Sequence, residues 1–262
     1  MGEGAAVYAT YKYLGATKRP EAAADFQNRE FYEPFARSLP TETPVPLINA
    51  GGVSLYTRAG YFLAMLDWQL GEGPLTAAMQ DFLRGSRGAR RADVAEVSAQ
   101  FIAHLKHVLG PRWTGFIDDW TATTRRFDPE LVGVQPATAS PGRVQIQLRN
   151  RGEVRFPVPV RLELANGETR DLTWDGEPDN ATLELEVPAA VISAQLDPDH
   201  RLLDYDRSNN RFSAGSSPAP SATRPWANRK DEGCKTYLQG DGLPALDTYC
   251  LELTGTGRLY AA

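Results

Sequence analysis

The hydrophobic period of this chain changes once, near Val132, and that change limits the fold more than any other feature. Before it, apolar residues recur at helical spacing. After it, they alternate one by one, the period of half-buried strands. A chain with 3.6-residue periodicity in its first half and period two in its second reads as α+β, with the helices and strands segregated. Its 262 residues are enough for two ordinary domains. The expected division is 1–132 helical, 133–212 a small antiparallel β-sandwich, and 213–262 a Ser/Pro-rich linker with an irregular tail.

The helical part reads as follows. Helix one runs from about Glu3 to Leu14, with Gly15 placed to stop it. Pro20 to Ala36 reads as one helix with Ala22, Ala23, Phe26, Phe31 and Phe35 on its apolar positions. Pro40 to Pro46 is extended, because each residue before a proline is pushed out of the α region. Ser54 to Leu70 is the strongest helix: Leu55, Phe62, Leu63, Leu66 and Leu70 lie near one stripe, with Tyr56 in the first turn. Pro74 to Leu83 follows with proline at a first-turn position. Asp93 is an N-cap for a helix ending at Leu109. Trp113 to Thr123 is the last, with Phe116, Ile117 and Trp120 facing inward.

In the second part, Val144, Ile146 and Leu148 alternate with Arg143, Gln145, Gln147 and Arg149. Phe156 to Leu164 alternates likewise. Pro157 and Pro159 cannot donate to a ladder, which places that strand at a sheet edge or makes it locally irregular. Asn166-Gly167 is a type I′ hairpin signal. Further strands are expected at Glu168–Trp174, Leu183–Val187 and Val191–Leu196.

Composition excludes some functions. With 42% hydrophobic and 23% charged residues the chain is an ordinary globular sequence. Its net charge of −5 opposes a nucleic-acid footprint, and the arginines from Arg87 to Arg91 are followed by acids, as on a solvated loop. No apolar run approaches the ~18 residues of a membrane span. Cys234 and Cys250 are spaced for either one disulfide or two thiols, and not for a zinc knuckle. His104 and His107 share a helix face without a Glu between them. Asn180-Ala181-Thr182 is a glycosylation acceptor by pattern only.

Three segments bear on chemistry. Glu3, Gly4, Ala6 and Tyr8 form an E-G-x-A-x-Y pattern. Leu55-Tyr56-Thr57-Arg58-Ala59-Gly60 places a tyrosine at the start of the strongest helix, where the structural alternative is an aromatic packed into the core. Asp197-Pro198-Asp199-His200-Arg201-Leu202-Leu203-Asp204-Tyr205-Asp206-Arg207-Ser208-Asn209-Asn210 is rich in acids and amides. It lacks the spacing and mid-loop glycine of an EF-hand, so it reads as a strand–turn–strand built on Asx turns.

These segments resemble the aminopeptidase N-like zinc metallopeptidases of the gluzincin superfamily. The first is similar to their W-L-x-E-G-x-A-x-Y. The second resembles Y-x-K-G, with Arg58 for Lys, Ala59 where Gly is usual, and Gly60 one step late. The third resembles D-P-x-x-x-x-L-D-x-D-x-x-N-N, which closes the Ig-like β-sandwich after the catalytic helices. Arg149-Asn150-Arg151-Gly152 with Pro157-Val158-Pro159-Val160 resembles its opening strands. The resemblance covers roughly residues 1 to 212. It implies that Glu3 is the third zinc ligand, that Tyr56 stabilises the oxyanion of the tetrahedral intermediate, and that the substrate is a peptide.

The family's H-E-x-x-H, with two zinc ligands and the general base, is absent from the sequence, and so is its G-x-M-E-N segment. The chain is therefore expected to be the C-terminal portion of such an enzyme, hydrolytically dead by itself, with zinc implied only for the parent. The rival expectation is a non-catalytic binding or scaffold module related to the peptidases.

Overall fold

Eleven consecutive buried residues set the centre of the helical part. Helix α4 (Val53–Leu70) is buried from Thr57 through Asp67. A helix apolar on all sides must be surrounded, and α4 is packed by α1 (Gly2–Ala16), α3 (Glu33–Ser38) and α5 (Pro74–Gly85). The computed structural model describes residues 1–17, 20–39, 44–86, 94–137 and 142–215. Asp93, both cysteines, the 87–91 arginine run and the tail from 216 lie outside the described residues.

The remaining helices are α2 (Pro20–Gln27), α6 (Val94–Leu109) and α7 (Pro111–Thr121). Helix α1 does not stop at Gly15. It runs through to Ala16, and Thr17 caps it by donating its backbone N–H to the Tyr13 carbonyl at 3.1 Å. The helix expected over Pro20–Ala36 is interrupted by a π-helical turn, Asn28–Tyr32, before α3 begins. The extra residue in that turn re-aims Phe31 into contact with the rings of Tyr11, Phe26 and Tyr61.

The strands form two antiparallel sheets, making the fold mixed α+β. One has the order β1 (Pro129–Pro136), β2 (Arg143–Asn150), β5 (Asn180–Glu186); the other has β4 (Thr169–Trp174), β3 (Val158–Leu164), β6 (Val191–Leu196), β7 (Arg211–Ser213). Val144, Ile146 and Leu148 of one, and Val158, Val160, Leu162 and Leu164 of the other, are buried in a single hydrophobic core that also holds α4.

Two local expectations are decided by the structure. Strand β3 is interior, paired with both β4 and β6, and of its two alternatives it takes the irregular one, with a register shift between Glu163 and Leu164. Pro159 is tolerated because the β6 ladder begins only at Val160, opposite Leu196. The carbonyl of Pro159 accepts from the Asp197 N–H just past β6, so the missing donor on the same side falls where the ladder ends. The β3–β4 turn is not type I′. Of its residues only Gly167 has positive φ, +83°, and its N–H donates to the Leu164 carbonyl. That combination is the three-residue loop with glycine in the left-handed position.

Phe156 joins the helices to the sheets. Its ring stacks on Phe116 of α7 at 4.7 Å and lies 6.2 Å from both Trp68 of α4 and Phe127 ahead of β1. All the described residues fall within one unit, Met1–Ala219.

Candidate functional site

Glycines fix how α1 meets α4. A Cβ on Gly4 would lie 2.2 Å from the Ala59 Cβ and under 3.0 Å from the backbone of Ala59 and Gly60. The methyl of Ala59 fits because Gly4 opposite has none. Gly60 is needed on the other side, where a Cβ would meet the Phe31 ring at 2.7 Å. This accounts for the Ala59-Gly60 order that departs from Y-x-K-G.

The two helices run parallel. Gly4 faces Ala59, and two turns on Lys12 reaches Asp67 with its Nζ 2.8 Å from Oδ2. Both pairs are 55 positions apart, so the register is constant. Glu3 therefore sits level with Arg58, and Tyr56 lies two residues, about 3 Å of helical rise, nearer the N-terminal end. Glu3 is in the first turn of α1 and exposed. Tyr56 is in the first turn of α4 and 45% exposed, so it is not a core aromatic. The structure thus brings both residues to one end of a parallel helix pair, where the positive ends of two helix dipoles also point. Tyr8, the last residue of the E-G-x-A-x-Y pattern, is buried against this pair at 3% exposure. Burial and the neighbouring Asp67 raise its pKa.

Of a catalytic zinc site, the described residues would supply Glu3 as one carboxylate ligand. A catalytic zinc needs three protein ligands, and no group of three or more His, Cys, Asp or Glu placed for a metal occurs among the described residues. Glu3 is a single carboxylate. His104 is engaged elsewhere: its Nε2 is 3.0 Å from the Ala78 carbonyl and its ring packs on Phe82. No step is therefore assigned to a metal.

The Asp197–Asn210 segment is a structural hub, and its acids bind backbone. The Asp197 carboxylate accepts the N–H groups of Arg201 and Leu202, both at 2.8 Å. Asp204 accepts from the Asp206 N–H and from Asn210 Nδ2, and Asp206 caps the short turn Arg207–Asn209. This is the Asx-turn reading realised. The segment also ties the helices to the sheets. Arg207 lies over the Tyr32 ring at 3.4 Å and donates to the Tyr61 hydroxyl at 2.7 Å. Gln27 and Tyr61 both donate to the His200 carbonyl. Asn209 donates to Asp128 at 2.9 Å. Beside these bonds, Gln27, Asn28, Tyr61, Asp199 and His200 line a cavity of about 330 Å³. Among the described residues none of its lining side chains carries an unpartnered buried polar atom.

Burial raises the Asp197 carboxyl to about 6 despite its two backbone donors and Arg207. The folded chain thus binds that proton more tightly than the unfolded chain does. The resulting stabilisation is complete below the ordinary carboxylate value of 3.8 and is lost as pH rises through about 6. The melting temperature of the wild type relative to Asp197→Asn is expected to fall between pH 4 and pH 7. A difference that stays flat over that range contradicts the assignment.

No family model matches the chain, and no curated protein matches it. Solved structures do match. One is the aminopeptidase A of Legionella pneumophila in complex with aspartic acid. It is 14% identical with a TM-score of 0.44, over 70% of this chain and 22% of that one. The chain thus spans about a fifth of the length of that neighbour. At this level of likeness, the functional reading rests on the chain's own residues.

Sequence reasoning singled out Glu3 and Tyr56, and the structure sets them at one end of the same helix pair. It missed Arg58, which is 5% exposed and donates Nη1 to the Val45 carbonyl at 2.9 Å. Position 58 lies within the helix's unbroken apolar run, and that was the available signal.

Proposed function

We propose that this chain forms the helical end of the catalytic domain of a zinc-dependent aminopeptidase-type peptidase, followed by its Ig-like β-sandwich. Glu3 supplies one zinc ligand and Tyr56 the oxyanion donor. One observation carries the reading: the constant register of α1 and α4, which presents the two motif residues, both exposed, at one end of a rigid pair. In such a site Glu3 would be one of the groups holding zinc, and the metal would supply Lewis-acid activation of water. The contribution of this chain is positional. Tyr56 stands on the first turn of the most buried helix, which fixes its backbone, and its exposed hydroxyl forms no hydrogen bond among the described residues. One such donor contributes about 2.7–4 kcal/mol to the transition state.

The test begins with DNA. In-frame sequence upstream of Met1 is expected to encode H-E-x-x-H, and the purified chain with added zinc is expected to release nothing from an amino-acid aminoanilide. Turnover by the chain alone removes the division of the site. An upstream frame without H-E-x-x-H leaves the other reading, a helix-and-sheet module used for binding or assembly.

A further inference from the structure

On the side of α4 away from Tyr56, a buried cation stands without a counter-charge among the described residues. Positions 56 and 58 are about 200° apart around the helix. The Arg58 guanidinium is almost wholly buried, donates only to the Val45 carbonyl, and has no partner for its Nε. It has no ion pair among the described residues. An unpaired buried charge costs several kcal/mol, and here the burden falls on a group that lines a cavity. Arg126 lines the same cavity, as do Thr124 and Tyr205. The Arg126 guanidinium lies over the Tyr205 ring at 5.4 Å and is likewise without an ion pair among the described residues. The nearby carboxylate of Glu153 accepts the backbone N–H of Arg126 at 2.9 Å.

We infer that this cavity between Arg58 and Arg126 is a binding site for a carboxylate. Arg58, with its Nε unpartnered, and Arg126 together offer guanidinium donors of the kind that match flat, closely spaced oxygens. The cavity of about 20 Å³ has room for one water-sized group. One carboxylate oxygen is of that size, and a carboxylate that enters would have a second oxygen to offer to Arg126. The site is independent of the proposed peptidase chemistry, so either reading can fail while the other stands.

Titration calorimetry on the whole chain at fixed ionic strength tests this, with sodium acetate, sodium chloride and sodium phosphate as probes. Acetate is expected to bind saturably, one per chain, and chloride is not; phosphate bound more tightly than acetate would overturn the assignment to a carboxylate. Arg126→Gln alters a half-exposed side chain and is expected to weaken acetate binding about tenfold or more, the loss of a charge-assisted hydrogen bond. Arg58→Lys keeps the buried charge but removes the fork, and is expected to weaken it similarly. N-acetyl-glycylglycine and its C-terminal amide separate the sources. Tighter binding of the free acid than of acetate, with none by the amide, marks a peptide C-terminus; equal binding of acid and acetate marks a small free carboxylate. No saturable acetate binding, binding matched by chloride, or acetate affinity unchanged in a folded Arg126→Gln overturns the assignment.

Discussion

Gly4→Ala destabilises the chain by about 2–3 kcal/mol, although alanine is the better helix former. In an exposed helix the exchange gains about 0.5–1 kcal/mol. Here the new methyl meets backbone atoms of α4 at 2.8 and 2.9 Å as well as the Ala59 Cβ at 2.2 Å, and backbone cannot rotate away. The two helices must part, an overpacking cost that exceeds the propensity gain. Gly115→Ala is the control. It lies mid-helix in α7 with nothing within 4 Å of its would-be Cβ, and the same exchange there stabilises. Urea unfolding of the two variants measures the contrast. Equal effects at the two sites would sink the close-packed register on which the placement of Glu3 and Tyr56 depends.

Phe156→Ala carries the second large effect, a loss of about 3–5 kcal/mol. Its ring is 3% exposed and contacts Trp68, Phe116 and Phe127. Truncation opens a cavity lined by three aromatic rings on α4, α7 and the approach to β1, and none of these elements can collapse into it alone. Helical ellipticity and tryptophan fluorescence are expected to report one shared transition at a lower denaturant midpoint. A loss below about 1 kcal/mol contradicts the joint held by this residue.

Periodicity made most of the fold legible. Helices α4 and α6 and strands β2 and β6 follow from apolar spacing, because burial on one face or all round leaves that mark on the sequence. What escaped was decided by single contacts. The π-turn at Asn28–Tyr32 has no periodic signature, since one extra residue in a helix shifts the phase by less than the scatter of apolar positions. Pro157 and Pro159 leave a sheet edge and an irregular strand both open, and only the contacts show an interior strand with Pro159 where the neighbouring ladder stops. Asn166-Gly167 matched a two-residue turn, yet only the glycine took a left-handed conformation. Glu3 and Tyr56 could be picked out by motif, while their common end of a parallel pair depends on Gly4, Ala59 and Gly60 packing across 55 positions of sequence. Arg58 looked like a motif variant and proved to be a buried cation.

The central claim is that Glu3 and Tyr56 belong to one zinc site, and the most direct test is made on the protein expressed from its entire reading frame. Zinc content and aminoanilide hydrolysis are measured for the wild type, Glu3→Gln and Tyr56→Phe. The account predicts one zinc per chain in the wild type and loss of both metal and activity in Glu3→Gln. Tyr56→Phe keeps its zinc and folds normally, with kcat lowered about 10²–10³-fold. A wild type without zinc, or a Glu3→Gln protein that keeps its zinc and its activity, would contradict it.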